Sequence, residues 1–221
     1  MGSGLIIFDC DGVLVDSEPI SVAVLVEVLA EAGCDLPLDQ AYGKFLGRSM
    51  ATIGKLLKDE FGLSITSEHL SEIRRRLYER FRGELRPIPG LADVVHMMDR
   101  PVCVASSSQP ERIRLSLEVT GLLQLFEPHI FSATMVEKGK PEPDLFLYAA
   151  QKMGVDPRHC TVIEDSAAGI RAAKAANMRV IAFTGGSHAG PADLDGTARA
   201  LSPDAIIGDM RNLPEVLGKI G

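Results

Sequence analysis

Short apolar runs and longer helical patterns alternate along most of the chain. The first run, Leu5-Ile6-Ile7-Phe8, stops at Asp9, and similar runs recur in the second half of the sequence. Continuous apolar runs of this length predict strands that are buried on both faces, and the helical patterns between them predict parallel crossover connections. We therefore expect an α/β fold built on a doubly wound parallel sheet.

The predicted elements follow from this alternation, and Gly33, Gly121 and Gly154 stand where helices should end. Strands are predicted at Leu5–Phe8, Pro101–Ala105, His129–Ser132, Cys160–Ile163, Arg179–Phe183 and Ala205–Ile207. Helices are predicted at Ile20–Ala32, Gln40–Leu46, Met50–Phe61, Ser67–Phe81, Pro110–Thr120, Asp144–Met153 and Ala167–Asn177.

The segment 17–86 breaks the alternation. Every pattern in it is helical, and the Pro-rich stretch Leu85–Gly90 leads the chain back to the strand–helix repeat. We predict an all-α cap domain at residues 17–86, inserted into an α/β core of residues 1–16 and 87–221. Because the insertion follows the first strand directly, the cap should stand over the carboxyl edge of the sheet as a lid, with hinges near Asp16 and Arg86.

Composition narrows the class of protein. Of 221 residues, 46% are hydrophobic and 24% are charged, and 30 acidic residues against 23 basic ones give a net charge of −7. An acidic chain is a poor binder of nucleic acid, and no apolar run is long enough to cross a membrane. The four cysteines show neither metal-binding nor disulfide spacing, which favours a reducing cytoplasm. We expect a monomer or a weak homodimer.

Charged and hydroxyl side chains follow the predicted strands, at the ends where parallel sheets bind ligands. Asp9 and Asp11 come directly after the first strand, and two carboxylates so close repel each other unless a cation or a shared proton intervenes. Taken singly, each group has an ordinary explanation, such as an acidic surface turn or a helix cap. Together they indicate divalent-metal binding and acid–base chemistry at one edge: Asp9, Asp11, Ser106, Lys140, Glu164 and Asp165.

Four motifs in this order resemble those of the haloacid dehalogenase superfamily of phosphotransferases. They are Asp9–Ser17 (DCDGVLVDS), Ser106 after an apolar strand, Lys140–Asp144 (KPEPD) and Glu164–Ile170 (EDSAAGI). The last two are similar to the β-phosphoglucomutase-like branch, whose small helical cap follows the first motif. The resemblance spans essentially the whole chain. It implies a Rossmann-like core, Mg²⁺ as cofactor and a small phosphorylated metabolite as substrate.

The resemblance also implies a role for each matching residue. Asp9 would attack phosphorus and become an aspartyl phosphate, and Asp11 would act as a general acid and then as a general base. Lys140 and Ser106 would bind the phosphoryl oxygens. The presence of Asp11 favours a phosphoryl substrate, since the dehalogenases of the superfamily lack an acid at that position.

A magnesium site is implied as well. The Asp9 carboxylate, the Asp11 backbone carbonyl and Asp165 would bind Mg²⁺, because this ion prefers oxygen ligands. Glu164 would be either a further ligand or a partner that orients the others.

The cap departs from the mutase pattern. Where β-phosphoglucomutases carry a His that contacts the acid–base aspartate, this chain has Ser21, and the Lys and Arg of their cap loop are replaced by Leu46 and Met50. A mutase needs a second group of cations, because it binds a bisphosphate at both ends. Arg48 directly after Gly47 is instead similar to the phosphatase caps of this branch. These differences favour hydrolysis of a sugar phosphate, with a phosphomutase and then a phosphoglycolate phosphatase as alternatives.

The cap loop is the expected place of substrate recognition. Gly47, Arg48 and Ser107 are predicted to bind the substrate, and the guanidinium of Arg48 could pair with a carboxylate or with hydroxyl groups. An exposed Arg after a glycine is also often only solvated. No role is assigned to the histidines outside the motifs, which are His96, His129, His159 and His188.

A phosphoacceptor signalling module is the alternative from another class of protein. Such modules are also doubly wound sheets with acidic groups, a hydroxyl and a Lys at one edge. Their acceptor lies away from the acidic pair and they have no helical lid, so the order of motifs in this chain favours the enzyme.

Overall fold

The computed structural model describes residues 4–46 and 50–220. Its centre is a sheet of six strands: β1 (Leu5–Phe8), β2 (Val102–Ser106), β3 (Ile130–Ser132), β4 (Cys160–Glu164), β5 (Arg179–Phe183) and β6 (Ala205–Ile207). The strands lie in the order β3-β2-β1-β4-β5-β6, and every neighbouring pair is parallel. The predicted α/β class with a doubly wound parallel sheet is confirmed.

Helices surround the sheet and fill the predicted insertion. Between β1 and β2 the chain forms α1 (Glu18–Glu31), α2 (Leu38–Phe45), α3 (Met50–Phe61), α4 (Ser67–Glu84) and α5 (Leu91–His96). The later connections contain α6 (Pro110–Val119), α7 (Leu123–Phe126), α8 (Asp144–Met153), α9 (Ala167–Ala175), α10 (Leu194–Leu201) and α11 (Leu213–Ile220). None of the helices in the described part of the chain combines the length and the apolar character that a membrane span requires.

Both faces of the sheet are buried, which explains its continuous apolar runs. Side chains alternate along β1, so that Ile6 and Phe8 pack into one hydrophobic cluster while Leu5 and Ile7 pack into the other. Helices α5, α6 and α11 contribute to the first cluster, and α8, α9 and α10 to the second. The central strand β1 is thus fixed from both sides, and so is the backbone that leads to Asp9.

The helices of the insertion have a third hydrophobic cluster of their own, but they also cover the sheet. Helix α1 turns Val22 and Leu25 towards that third cluster, while its Ile20 and Val24 join the first cluster together with Phe81 of α4. A helix that is apolar on opposite sides is buried between two layers. Helices α1 and α4 therefore both pack against the first cluster, and α1 connects it with the third cluster.

The two chain segments that connect the insertion to the sheet run side by side. The Asp16 N–H donates to the Arg86 carbonyl at 3.0 Å, and the Ile88 N–H donates to the Leu14 carbonyl at 2.9 Å. The insertion thus begins and ends at neighbouring points, close to the predicted hinges. The exact boundaries of cap and core remain a prediction.

The differences from the predicted elements have local causes. Helix α9 ends at Ala175 because Asn177 adopts a left-handed backbone conformation with φ of 55°. Helix α4 continues past Phe81 to Glu84, whose carboxylate pairs with Arg80 one turn earlier. Four helices were not predicted because they span only one or two turns: α5, α7, α10 and α11.

Candidate active site

The candidate site lies where the three central strands end. Parallel pairing aligns Phe8 of β1 with Ile163 of β4 and with Val104 of β2, and the Asp9 N–H extends the ladder to the Ile163 carbonyl at 3.0 Å. The residues that follow these pairs therefore share one edge of the sheet. Asp9, Ser106, Glu164 and Asp165 all lie there, as predicted from the strand ends.

A buried ammonium joins two of the carboxylates at this edge. The Nζ of Lys140 donates to Oδ1 of Asp9 at 2.8 Å and to Oε1 of Glu164 at 2.7 Å, and its side chain is only 3% exposed. Burial opposes charge on this lysine, but the attraction of Asp9 and Glu164 is stronger and raises the pKa of Lys140 above its usual value. Lys140 is therefore a fixed positive charge beside Asp9.

Asp9, Glu164 and Asp165 form an acidic cluster. One carboxylate oxygen from each lies within 4.8 Å of the other two, and all three residues are buried. Burial raises the pKa of Asp9 and of Asp165, and neighbouring carboxylates raise both further. Lys140 supplies one positive charge against three carboxylates. A divalent cation with oxygen ligands fits this excess of buried negative charge.

The sequence after β4 is built to hold Glu164 in place. The Ser166 N–H donates to Oε2 of Glu164 at 2.6 Å, and Oγ of Ser166 accepts from the Gly169 N–H at 3.0 Å at the start of α9. A Cβ on Gly169 would overlap the Glu164 carboxylate. The motif EDSAAGI therefore combines a helix cap with the space that a buried carboxylate needs.

The carboxylate of Asp11 faces a different set of partners. It accepts hydrogen bonds from Ser17 Oγ at 2.6 Å, from Ser108 Oγ at 2.6 Å and from the Arg112 guanidinium at 2.8 Å. Burial alone would raise the pKa of Asp11, but Arg112 and the two hydroxyls outweigh burial and lower it. The side chain of Asp11 is thus bound apart from the acidic cluster, although it lies two residues from Asp9.

The turn that follows the two aspartates depends on Gly12. This residue has φ of 77°, a conformation that glycine adopts without strain, and a Cβ there would overlap the Asp165 carboxylate. The Gly12 N–H then closes the turn on the Val15 carbonyl at 2.8 Å.

His188, in the loop after β5, also belongs to the site. Its Nε2 lies 3.0 Å from Oδ2 of Asp165, and its side chain is 1% exposed. Burial lowers the pKa of His188, which favours the neutral imidazole at pH 7. When Asp165 is ionised, Nε2 is the donor of this hydrogen bond, because a carboxylate can only accept. A Cβ on Gly12 or on Gly186 would press against the ring. The sequence analysis assigned no role to His188, whereas the structure places its imidazole against Asp165.

The remaining predicted residues are placed as follows. Ser106 is buried, and its Oγ accepts from the Ser108 N–H at 3.1 Å, while Ser107 is exposed at the same edge. Gly47 and Arg48 lie outside the described residues. The side chain of Asp11 is not part of the acidic cluster. The predicted metal-binding role of Asp11 concerns its backbone carbonyl and stays a prediction.

Four side chains at the site were not assigned from the sequence, and their sequence signals differ in strength. Ser17 closes the first motif and Ser108 is the last of three consecutive serines, so both lie beside residues that were singled out. Arg112 lies in the first turn of α6, close in sequence to the same serines. Nothing in the local sequence marks His188, since only the fold brings its loop to Asp165.

The parallel sheet, the helical insertion after its first strand and a buried acidic cluster that could hold a cation are features of a class of α/β enzymes. Residues 4–177 match the haloacid dehalogenase-like hydrolases, and the chain belongs to this family.

Curated relatives agree with this assignment. The 6-phosphogluconate phosphatase of Escherichia coli is 29% identical over 187 residues, which cover 84% of this chain and 85% of that protein. The fructose-1-phosphate phosphatase YqaB of the same organism is 32% identical over 183 residues, which cover 80% of this chain and 94% of that protein. The prediction of a phosphoric monoester hydrolase is confirmed.

Solved structures show the same fold. A haloacid dehalogenase-like protein from Agrobacterium tumefaciens superposes with a TM-score of 0.87 at 35% identity, covering 99% of both chains. A β-phosphoglucomutase-like protein from Thermotoga maritima superposes with a TM-score of 0.76 at 21% identity, covering 99% of this chain and 100% of that one. At the level of the fold, the predicted resemblance to that branch is confirmed.

Proposed function

We propose that the protein is a Mg²⁺-dependent phosphatase that hydrolyses a small sugar phosphate through an aspartyl-phosphate intermediate. One observation carries the proposal: the Asp9 carboxylate is buried at the end of the central strand, 2.8 Å from the Lys140 ammonium and beside Glu164 and Asp165. Phosphoryl transfer depends mainly on positioning and on positive charge around the phosphoryl group. This edge of the sheet offers a nucleophile, a fixed ammonium and a set of cation ligands together.

In the first half-reaction, a carboxylate oxygen of Asp9 forms a bond to phosphorus while the bond from phosphorus to the sugar oxygen breaks. The sugar oxygen takes a proton from the carboxyl group of Asp11 and leaves as an alcohol. In the second, the Asp11 carboxylate takes a proton from water as the water oxygen attacks phosphorus. The bond to Asp9 breaks, which releases phosphate and restores both aspartates.

The surroundings of Asp11 support its part in the second half-reaction. Three donors hold the carboxylate form, which is the form that accepts the proton of water. In the first half-reaction the same group must carry a proton, so its contacts have to change between the two steps. Lys140, which stays charged throughout, holds Asp9 and meets the phosphoryl oxygens.

Mg²⁺ fits the acidic cluster by the chemistry of its donors, which are buried oxygens in excess of the nearby positive charge. Asp9, Glu164 and Asp165 would hold the ion, with the backbone carbonyl of Asp11 as a further ligand. When bound, it supplies positive charge that neutralises the phosphoryl oxygens. His188 keeps one oxygen of Asp165 hydrogen-bonded, which turns that carboxylate towards the cluster.

The substrate class is supported by the relatives. Their names give 6-phosphogluconate and fructose 1-phosphate as substrates, and both are phosphorylated sugars or sugar acids. In this chain we propose that Arg48 on the cap loop pairs with the hydroxyl or carboxylate groups of such a substrate, and that Gly47 and Ser107 line its site. The four cysteines are free, which supports action in a reducing compartment such as the cytoplasm.

Phosphate release from a panel of substrates tests the proposal. The panel contains 6-phosphogluconate, fructose 1-phosphate, phosphoglycolate, nucleotides and the glucose 1-phosphate and 6-phosphate pair, each with Mg²⁺ or with a chelator. We expect release from a sugar phosphate that needs Mg²⁺ and disappears in Asp9→Asn, with Asp39→Asn on the exposed face of α2 as the matched control. Conversion between the glucose phosphates without net release would show a mutase instead. Stoichiometric labelling without turnover would show a phosphoacceptor.

A further inference from the structure

One guanidinium contacts both the loop after β1 and the helical insertion. Arg112 of α6 reaches Oδ1 of Asp11 at 2.8 Å and Oγ of Ser21 at 3.2 Å, both through the same terminal nitrogen. Its guanidinium carbon also lies 5.4 Å from the centre of the Phe81 ring. Ser21 belongs to α1 and Phe81 to α4, so Arg112 touches two helices of the insertion while it binds Asp11.

The contact is sheltered from water. The side chains of Arg112 and Asp11 are 21% and 14% exposed, and a charge in such a place requires a partner. Phe81 is fully buried under the guanidinium, which gives the arginine a fixed platform. The position of Arg112 is therefore tied to the packing of α1 and α4, and Arg112 in turn holds Asp11 together with Ser17 and Ser108.

Arg112 orients the Asp11 carboxylate through a single hydrogen bond. An arginine can grip a carboxylate with two parallel hydrogen bonds, but here a single nitrogen makes the contact. The buried Nε of Arg112 has no hydrogen-bond partner among the described residues. Asp11 thus uses one terminal nitrogen of the guanidinium, and Arg112 keeps a buried donor that Asp11 does not use.

We propose that Arg112 is a positioning residue that aims the carboxyl group of Asp11 and ties its orientation to the seating of the helical insertion. The proposal rests on the proposed function, because the aim of Asp11 matters through proton transfer to the leaving group. The connection between Ser21 of α1 and Asp11 runs through Arg112.

The first test compares leaving groups. Arg112→Ala should lower kcat for a sugar phosphate by about 10- to 100-fold, because misplacing a reacting group costs up to that much. For 4-nitrophenyl phosphate, whose leaving group needs little protonation, the loss should be several-fold smaller. Arg112→Lys should recover part of the rate. Arg114→Ala is the matched control, since Arg114 lies on the same helix, is exposed and pairs with Glu127.

A double variant separates action through Asp11 from other roles. In the Asp11→Asn background, Arg112→Ala should cause no further loss, because there is no longer a proton donor to aim. Equal losses for both leaving groups, or an additional loss in the double variant, would overturn the proposal and give Arg112 a role in binding the substrate or in packing. Circular dichroism and thermal unfolding check that each variant is folded.

A measurement without substrate tests the physical link itself. Hydrogen–deuterium exchange in Arg112→Ala should be faster than in the wild type within residues 10–24 and 77–84, and unchanged there in Arg114→Ala. Unchanged protection in Arg112→Ala would refute the link between Asp11 and the insertion. If the wild type hydrolyses no phosphate in the panel, the proposed function fails, and the exchange measurement alone decides on Arg112.

Discussion

Two groups of ion pairs in this molecule differ mainly in their contact with water. At the sheet edge, Lys140 joins Asp9 and Glu164 with side chains that are 3%, 10% and 0% exposed. Along α4, arginines pair with glutamates whose side chains are 33% to 71% exposed. The pairs are Arg75 with Glu72 and Glu79, Arg76 with Glu31 and Glu72, and Arg80 with Glu27 and Glu84.

The difference in exposure separates charges that can be changed with little effect on stability from charges whose burial calls for an explanation. Exposed ion pairs lose little hydration when they form and contribute little to the free energy of unfolding, so replacing one of their residues has a small effect on stability. The buried group loses its hydration, and apolar side chains of similar volume would often stabilise a fold as well or better. The proposed reaction gives a reason for this buried group at the end of the central strand. We expect the effects of substitutions to decrease from the buried group at the sheet edge to the exposed pairs along α4.

The largest effect is expected for Asp9→Asn. This change removes the nucleophile, so turnover should fall by about 10⁴-fold or more, measured as phosphate release. The melting temperature should not fall, because the variant loses one of three clustered carboxylates that repel one another. Turnover near the wild-type level would refute the mechanism, whereas an unfolded variant would refute the statement that this cluster is not needed for stability.

Asp11→Asn should lower kcat for a sugar phosphate by about 10²- to 10⁴-fold, because the leaving group is no longer protonated. An aryl phosphate with an acidic leaving group should lose less, since it departs without a proton. Steady-state rates with both substrates provide the comparison. A loss that is independent of the leaving group would mean that Asp11 has no part in proton transfer.

His188→Phe should weaken Mg²⁺ binding by about 10- to 100-fold, because Asp165 loses the donor that orients it. Calorimetric titration of the protein with Mg²⁺ measures this without any substrate. His188→Gln retains a donor and should bind more tightly than His188→Phe, and His159→Gln at the start of β4 is the surface control. Equal affinities in all three variants would leave His188 as a packing residue only.

Glu18, at the start of α1, is intermediate in exposure between the buried charges at the sheet edge and the exposed pairs along α4. Its side chain is partly exposed, and burial together with the nearby Asp11 raises its pKa from 4.5 to about 7, against the attraction of Arg112. The folded state then binds the proton more tightly than the unfolded state between these two values. Between pH 4.5 and 7, the free energy of unfolding should therefore fall with rising pH, relative to Glu18→Gln.

The size of this change should be about 2 kcal/mol, since part of the full effect is screened by water. Denaturant titrations of both proteins in chelator at several pH values measure it. Parallel stability curves would show that Glu18 ionises normally.

The smallest effect is expected on α4. Arg80→Gln removes the pairs to Glu27 and Glu84, and it should shift the melting temperature by no more than about 3 °C and leave kcat unchanged. High salt should erase even this difference. A large shift would mean that the pairs between α4 and α1 hold the insertion together, which would remove the contrast with the sheet edge.

The sequence predicted the parts of the site that depend on chain order along the sheet. Asp9 and Glu164 follow apolar strands, so the parallel topology alone was enough to bring them together. Which of the three serines after β2 faces Asp11 could not be predicted, because it depends on the turn into α6, and Ser108 makes the contact. Arg112 and His188 were missed for a related reason. Their partners lie far away in sequence, and only the packing of a helix and a loop against β1 and β4 brings them there.

The fold was predicted to a similar extent. The strands were recognised because burial on both faces leaves a continuous apolar run, and their ends agree to within a residue. Helices of one or two turns, such as α7, present too few residues for a periodic pattern. The prediction that Arg48 binds the substrate is based only on its position after Gly47 in the sequence. It can be tested by measuring phosphate release.

The paired segments at Leu14–Asp16 and Arg86–Ile88 make the helical insertion exchangeable. Because the chain leaves and re-enters the sheet at hydrogen-bonded neighbours, the intervening helices can be replaced by another insert without rethreading any strand. A replacement has to present an apolar face where Ile20, Val24 and Phe81 now lie. It also has to replace the contacts that Ser17 makes with Asp11 and that Ser21 and Phe81 make with Arg112. The paired segments thus allow the helical insertion to be changed while the order of the strands stays the same.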